Sequence, residues 1–257
     1  MLSAALSIGS EPTAMPKVAI VAALDRELRP LVKIKGWGWR TTERQHEGRN
    51  FPFIEDEEHE IVMVAGGIGA PAARRAAEAI ISIYSPAVIY SVGFAGALDP
   101  AHKVGDIFQP GQVIDAGDGS RVNLQHGEGI LVSFSSVASP AQKAKLRESF
   151  GAQIVDMEAA SVARAAQARG VEFIAVKSVS DEFNFTFPEI ERFVDAEGRF
   201  QQWRFARFAA LRPWLWPKVN RLAANSKTAE AALGDWLVTS LNRMIALADP
   251  GPERVPR

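Results

Sequence analysis

Cysteine is missing from all 257 residues of the chain. Its absence excludes disulfides, thiolate metal sites and a cysteine nucleophile, and it is typical of a reducing compartment, so we expect a cytoplasmic protein. Histidine is scarce, and no pair shows a metal-ligand spacing such as HExxH. We therefore predict no metal site and no other cofactor. The four histidines are His46, His59, His102 and His126.

An excess of charge of one sign and long apolar runs are also missing. The formal net charge is -1, and basic residues are spread over most of the chain. A nucleic-acid surface needs a concentrated basic face, so we predict no nucleic-acid partner. No apolar run is long enough to span a bilayer. Residues 1–15 lack the basic start of a signal peptide, and we interpret them as a disordered leader.

The composition is that of a globular protein with one sizeable core, since 47% of the residues are hydrophobic. Buried β-branched runs alternate with segments of helical periodicity, which predicts a single three-layer α/β domain over 16–248. Its central sheet is expected to be mixed, mostly parallel and flanked by helices. Residues 249–257 are expected to form a flexible tail. The clearest predicted strands are 17–23, 60–65, 86–92 and 173–179, and the clearest helices are 25–32, 72–82, 140–150 and 157–169.

Two carboxylates stand at the ends of predicted elements. Glu158 begins an Ala-rich helix, and Asp181 follows a buried strand. Helix starts and the carboxyl ends of strands are the places where α/β sheets bind small ligands. Taken alone, Glu158 is more typical of a helix cap or a partner of the helix dipole, whereas Asp181 is equally typical of a turn residue or an N-cap. If both reach one pocket, they suit acid/base chemistry on a polar metabolite.

Six motifs in a fixed order resemble the nucleoside phosphorylase superfamily, and most closely its 5′-methylthioadenosine/S-adenosylhomocysteine nucleosidase branch. The resemblance extends from about residue 17 to 195. Each motif is weak by itself, but their order and spacing together are specific. The motifs are VAIVAALDREL at 18–28, GGIG at 66–69, SVGFAGAL at 91–98, KVGDI at 103–107, IVDMEAASVARAA at 154–166 and FIAVKSVSDE at 173–182.

The resemblance implies hydrolysis of the N-glycosidic bond of a purine nucleoside. In this reaction, positive charge develops on the sugar and negative charge on the base. The resemblance assigns Asp181 as the general acid at the purine, oriented by Ser180. It assigns Glu158 to the ribose hydroxyls, Met157 to the ribose face and Glu27 to the attacking water.

Further nucleoside contacts are implied by the same resemblance, and two of them depart from the branch. Phe94 stands where these nucleosidases commonly have serine, and Lys177 stands where they have arginine, which removes a bidentate donor. The resemblance therefore does not determine which base or which 5′ substituent the substrate carries. The implied contacts are Phe94, Ala95, Gly96, Val137, Lys177 and Phe183.

Phosphorolysis, with phosphate as a second ligand, is the near alternative. The turn at 22–27 contains two carboxylates that would repel an anion, which favours water as the nucleophile. A non-catalytic nucleoside-binding protein that keeps the fold is the third hypothesis. For the assembly, the resemblance implies a homo-oligomer, and we expect a homodimer.

An aromatic and basic insert at about 189–225 is the largest departure from the family pattern. Its segment 199–221 mixes arginines with Trp203, Trp214 and Trp216. One interpretation is a helical hairpin that covers the sheet edge or forms the oligomer interface. The other is peripheral membrane contact or contact with a lipid-linked substrate. In the order of its motifs, the chain also resembles a distant branch of the superfamily that belongs to the hopanoid pathway. That branch acts on an adenosyl lipid, as a nucleosidase or a phosphorylase, which agrees with the second interpretation.

Overall fold

The computed structural model describes residues 18–185, 190–195 and 197–248. The predicted leader and tail lie outside these residues. Eleven strands join in one mixed sheet within the described ranges. They are β1 (Val18–Ala22), β2 (Arg40–His46), β3 (Arg49–Asp56), β4 (Ile61–Ala65), β5 (Val88–Ala97), β6 (Ile107–Phe108), β7 (Gln112–Asp115), β8 (Arg121–Asn123), β9 (Ile130–Ser133), β10 (Ile154–Asp156) and β11 (Glu172–Asp181).

The centre of the sheet is parallel. Strand β1 lies between β4 and β5 and runs parallel to both, and β11 runs parallel to β5. The full order is β2-β3-β4-β1-β5-β10-β9-β7-β8, with β11 pairing to β5 and β6. Because parallel strands end at the same edge of a sheet, the loops that follow β1, β4, β5 and β11 meet there. The predicted fold class, a mixed α/β sheet flanked by helices, is confirmed.

The β2–β3 hairpin is the main element that the sequence analysis did not predict. Strand β2 is almost entirely exposed, and its residues are polar or charged. It therefore lacks the alternation of buried and exposed side chains that marks a strand in sequence. Pairing with β3 holds it in place over the full register from Arg40–Glu55 to His46–Arg49.

The helices cover both faces of the sheet. The first one begins and ends as predicted, whereas the last one begins inside the predicted insert. The Ala-rich helix begins at Ala159 rather than at residue 157, because Glu158 occupies its N-cap with non-helical backbone angles. The helices are α1 (Asp25–Val32), α2 (Ala70–Tyr84), α3 (Pro140–Phe150), α4 (Ala159–Ala168), α5 (Gln202–Ala210) and α6 (Trp216–Ala248), with 3-10 turns at Ile190–Phe193 and Pro213–Leu215.

Two hydrophobic layers separate the sheet from its helices. Alanines of α2 and α4 pack on one face, and leucines of α1 and α6 pack on the other. Leu28, Leu31, Leu233, Leu237 and Leu241 are each almost completely buried in the second layer. Full burial of such a side chain contributes about 1.5–3 kcal/mol, so this layer fixes α1 firmly against the sheet.

Gly234 allows α6 to approach α1 closely, and we expect Gly234→Ala to destabilise the protein. A Cβ at this position would lie 2.6 Å from Cβ of Pro30, whose ring cannot move aside. The clash should cost about 1–3 kcal/mol and outweigh the gain of about 1 kcal/mol in helix propensity. Urea unfolding measures the result. Ala223→Gly, at an exposed position of the same helix, serves as the control for propensity alone, and a more stable Gly234→Ala variant would contradict the close contact.

Candidate active site

A β-bulge at the end of β11 aims Asp181 towards the centre of the sheet edge. The register with β5 shifts between Val179 and Asp181, which brings Asp181 opposite Gly96. Bulges commonly redirect a side chain next to an active site. On its other side, Gly96 pairs with Val155 of β10. Asp181 thus lies one strand away from the segment that leads to Glu158.

The two glycines of the GFAG motif leave space for two carboxylates. A Cβ at Gly96 would lie 2.8 Å from Oδ2 of Asp181, and a Cβ at Gly93 would lie 3.2 Å from Oε1 of Glu27. Gly93 also has a φ of +147°, which side chains rarely adopt. Strand β5 therefore brings the carboxylates of two other elements into contact with its own backbone.

Glu27 lies in the first turn of α1 and is buried. Its Oε2 accepts hydrogen bonds from the backbone N–H groups of Ala23 and Leu24, each at 2.9 Å. Its Oε1 accepts the N–H of Phe94 at 3.3 Å. Burial raises the pKa of Glu27, although these amide hydrogen bonds and the charge of Lys177 act in the opposite direction. The carboxyl group is held in one orientation and keeps lone pairs that can bind a water molecule.

Glu158 joins the N-terminus of α4 to the GGIG turn. Its Oε1 accepts the N–H of Gly69 at 2.8 Å, and its Oε2 accepts the N–H of Met157 at 3.2 Å. Burial raises the pKa of Glu158 to about 7, the nearby carboxylate of Asp156 adds to the rise, and Lys177 opposes it. Near neutral pH, Glu158 is therefore poised between its two protonation states.

Lys177 is the positive charge beneath these carboxylates. Its side chain is fully buried, its Nζ lies 3.0 Å from Oδ2 of Asp156, and it donates a hydrogen bond to Oγ of Ser91 at 3.2 Å. Burial lowers the pKa of Lys177, but the negative charges of Asp156 and Glu158 outweigh it, so the net shift is upward. The ammonium group stays charged and neutralises part of the cluster.

Asp156 is a buried residue of this cluster that the sequence analysis missed. Its Oδ1 accepts the hydroxyl of Ser133 at 2.6 Å, and its Oδ2 accepts the N–H of Ala159 at 2.9 Å. It therefore accepts the first N–H of α4 while it pairs with Lys177. An aspartate three residues before the first buried alanines of a helix is a capping signal that could have identified it.

Lys143 of α3 is the second missed residue, and it contacts Asp181. Its Nζ forms an ion pair with Oδ2 of Asp181 and donates to the carbonyls of Glu182 at 2.7 Å and Phe185 at 3.4 Å. The hydroxyl of Ser180 donates to the other carboxylate oxygen of Asp181 at 3.0 Å. Lys143 is only 1% exposed and shares the buried side of α3 with Leu146, and this spacing of three residues was its signal in the sequence.

The remaining predicted contacts lie around these two groups of charges. Phe94 is half-buried, with the Arg26 guanidinium 4.8 Å from its ring centroid. The carbonyl of Ala95 accepts a hydrogen bond from Ser180 at 3.4 Å. Val137 is exposed in the loop before α3, and Phe183 lies half-exposed in the turn after β11. The described contacts join neither of these last two residues to the charged groups.

Two clusters therefore meet at one edge of the sheet. Glu27, Glu158 and Lys177 form the first, and Asp181 with Ser180 forms the second. The glycines of β5 connect them. The first cluster can bind hydroxyl groups and stabilise positive charge, and the second can donate a proton to a ligand placed between them.

A family model described as the phosphorylase superfamily matches residues 17–129 and 119–209. The chain belongs to this superfamily. An aminodeoxyfutalosine nucleosidase of Campylobacter jejuni is 25% identical over 202 residues, which cover 65% of this chain and 86% of the relative. A 5′-methylthioadenosine/S-adenosylhomocysteine nucleosidase of Staphylococcus aureus is 26% identical over 162 residues, which cover 50% of this chain and 71% of the relative. The family and these relatives support an N-ribosyl hydrolase.

Solved structures agree with this fold. The futalosine hydrolase of Helicobacter pylori superposes with a TM-score of 0.65 and 18% identity, over 89% of this chain and 98% of that one. A mutant nucleosidase of the same organism, with 5′-methylthioadenosine in its active site, superposes with the same TM-score and 17% identity, over 89% and 99% of the two chains. At these identities, the likeness concerns the fold of this phosphorylase-superfamily protein.

The raised pKa of Glu158 predicts a pH-dependent stability. The folded state binds this proton more tightly than the unfolded chain, so the group's contribution to folding is complete below about pH 4.5 and is lost as the pH rises to about 7. In Glu158→Gln this titration is absent. Over that range, the free energy of unfolding of the wild type should fall by roughly 2–3 kcal/mol relative to the variant, since one pKa unit corresponds to about 1.4 kcal/mol.

Urea unfolding at several pH values measures this difference. Glu148→Gln, at an exposed position of α3, is the matched control and should track the wild type at each pH. A constant difference between wild type and Glu158→Gln across the range would contradict the raised pKa.

Proposed function

We propose that this protein hydrolyses the N-glycosidic bond of a purine nucleoside. The observation that carries the proposal is the arrangement at the edge of β5, where Gly93 accommodates the carboxylate of Glu27 and Gly96 accommodates that of Asp181. Glu158 completes the set through its contact with the GGIG turn. A nucleoside between these groups would meet carboxylates at its sugar and a proton donor at its base.

On the sugar side, Glu158 accepts hydrogen bonds from the ribose hydroxyls. Its ionised form also stabilises the positive charge that develops on the ribose as the bond to the base breaks. The buried ammonium of Lys177 keeps the resting cluster of carboxylates stable without neutralising Glu158 completely. Met157 packs against the ribose face, next to the N–H that it donates to Glu158.

Glu27 holds the nucleophilic water. Three backbone amides fix its carboxyl group, so its orientation does not depend on the ligand. The water attacks C1′ of the ribose, and its proton passes to Glu27. The oxygen of the water thereby forms the new bond to C1′ as the bond from C1′ to N9 of the base breaks.

On the base side, Asp181 donates a proton to N7 of the purine, and the electron pair of the broken bond moves into the base. Ser180 and Lys143 hold the two oxygens of Asp181 from opposite sides. In the protonated form of Asp181 that we propose for catalysis, Lys143 still fixes the carboxyl group, because it also holds the carbonyls of Glu182 and Phe185. Lys143 is thus a positioning residue for the acid.

The substrate that we propose is of the 5′-methylthioadenosine or S-adenosylhomocysteine type, and aminodeoxyfutalosine belongs in the same test because a relative is named for it. Phe94 would form an apolar wall beside the sugar where related nucleosidases place a hydroxyl. This favours a substrate whose 5′ substituent is apolar. The homodimer stays a prediction.

Phosphorolysis is the second candidate, and Arg26 is the observation that favours it. Its Nε is buried and has no hydrogen-bond partner within the described residues. Asp25 beside it is exposed, and Glu27 already accepts three backbone N–H groups, so the repulsion expected from this turn is weaker than its composition suggests. A phosphate at Arg26 would then replace the water.

Base release distinguishes the candidates. The protein is incubated with 5′-methylthioadenosine, S-adenosylhomocysteine, aminodeoxyfutalosine, adenosine and inosine, with and without phosphate, and the free base is quantified. Release without phosphate supports hydrolysis, strict dependence on phosphate supports phosphorolysis, and thermal stabilisation without release points to a binding protein. Asp181→Asn should lower purine release by about a hundredfold or more, and unchanged release would refute the assignment of the acid.

Lys143→Met tests the positioning role through the leaving group. Release of a purine requires protonation, whereas nitrophenol leaves from a nitrophenyl riboside without it. We expect Lys143→Met to slow purine release by about tenfold or more and to leave nitrophenyl riboside cleavage nearly unchanged. Lys145→Met, at an exposed position of the same helix, is the control. Equal losses on both substrates would mean that Lys143 only maintains the structure.

A further inference from the structure

The basic aromatic segment, residues 199–221, comprises α5, the 3-10 turn at Pro213–Leu215 and the start of α6. It carries six lysines and arginines and no aspartate or glutamate, whereas the net charge of the whole chain is -1. The segment therefore carries a net positive charge, whereas the rest of the chain carries a net negative charge. Such a charge asymmetry indicates an anionic partner.

Two aromatic side chains of α5 pack against the 3-10 turn at Ile190–Phe193. Phe205 and Phe208 each lie edge-on to the ring of Phe193, with centroids 5.3 and 5.1 Å apart. Phe200 packs on Phe205 at 5.5 Å. The Arg212 guanidinium lies 4.0 Å from the ring centroid of Phe208. These contacts fix the orientation of the helix, so its outer face is a defined surface.

The basic aromatic segment presents large apolar side chains to solvent. Trp203 is 85% exposed, Leu211 73%, Trp214 72% and Trp216 51%. Among the described residues, the other exposed large hydrophobic side chains are Val32, at 40%, and Val137, at 36%. Four large exposed apolar side chains within one short segment indicate a surface that binds a partner.

We propose that the basic aromatic segment docks on the surface of an anionic lipid bilayer. Tryptophans prefer the boundary between headgroups and acyl chains, and each lysine or arginine near an anionic surface adds to the attraction. The exposed tryptophans would enter this boundary while Arg204 and Arg207, exposed on the same helix, contact phosphate headgroups. The contact that we propose is peripheral, and no described helix is long and apolar enough to cross a bilayer.

A second copy of the chain fits this surface less well. A two-fold interface places the same patch of each subunit against its partner. Here, that would bring two sets of six positive charges together with no acidic residue in the segment to pair with them. An anionic bilayer satisfies the charge and the apolar side chains together.

The segment is anchored beside the candidate active site at both of its ends. Just before it, the carbonyl of Gly198 accepts the N–H of Ile68 at 2.7 Å, in the turn whose Gly69 holds Glu158. At its other end, Arg221 forms a 2.9 Å ion pair with Glu182, next to Asp181. Docking would therefore bring the site to the bilayer surface.

Vesicle sedimentation with the full chain tests the proposal without any substrate, so it does not depend on the reaction. Vesicles of phosphatidylcholine alone are compared with vesicles that also contain phosphatidylglycerol. We expect binding that requires the anionic lipid, weakens with salt and shifts tryptophan fluorescence to the blue. Trp203→Ala with Trp214→Ala, and separately Arg204→Gln with Arg207→Gln, should each weaken binding by about tenfold or more.

Lys33→Gln with Lys35→Gln is the matched control, because it removes the same charge at exposed positions at the end of α1 and should leave binding unchanged. Melting temperatures confirm that all variants fold. Absence of binding to anionic vesicles would overturn the proposal. So would a tryptophan variant that binds normally but loses its oligomeric state in sedimentation velocity, since the surface would then join two copies. Nucleoside hydrolysis is measured separately, and its failure would leave the vesicle result intact.

Discussion

The buried ammonium of Lys177 is the charge on which the candidate site depends. Three carboxylates, those of Glu27, Asp156 and Glu158, lie close enough to shift its pKa upward against the effect of burial. Buried carboxylates without such a partner would become protonated or would unfold the edge of the sheet. Lys177 is therefore the counter-ion that allows three carboxylates to lie close together in the buried part of the site.

A second buried lysine organises the other half of the site. Lys143 reaches from α3 to the end of β11, where it holds Asp181 and two carbonyls of the following turn. The two lysines have different roles. One balances the carboxylates proposed to contact the sugar, and the other fixes the carboxyl group proposed to protonate the base. Strand β5 separates them and, through its glycines, lets both sets of carboxylates approach its backbone.

The insert contacts both halves of the candidate site. The GGIG turn donates one N–H to Glu158 and another to Gly198, so it connects the sugar-binding carboxylate to the start of the basic aromatic segment. Arg221 makes the corresponding connection near Asp181.

Local patterns in the sequence determined the central strands, most helices and the family. Buried β-branched runs identify β1, β4, β5 and β11, and motif order identifies the superfamily. The pairing of charges was decided only by the tertiary structure. Lys177 meets Ser91, and Lys143 meets Asp181, across separations of 86 and 38 residues, which depend on strand order and on the bulge in β11. No local pattern encodes such contacts, because each arises where distant segments arrive at one edge of the sheet.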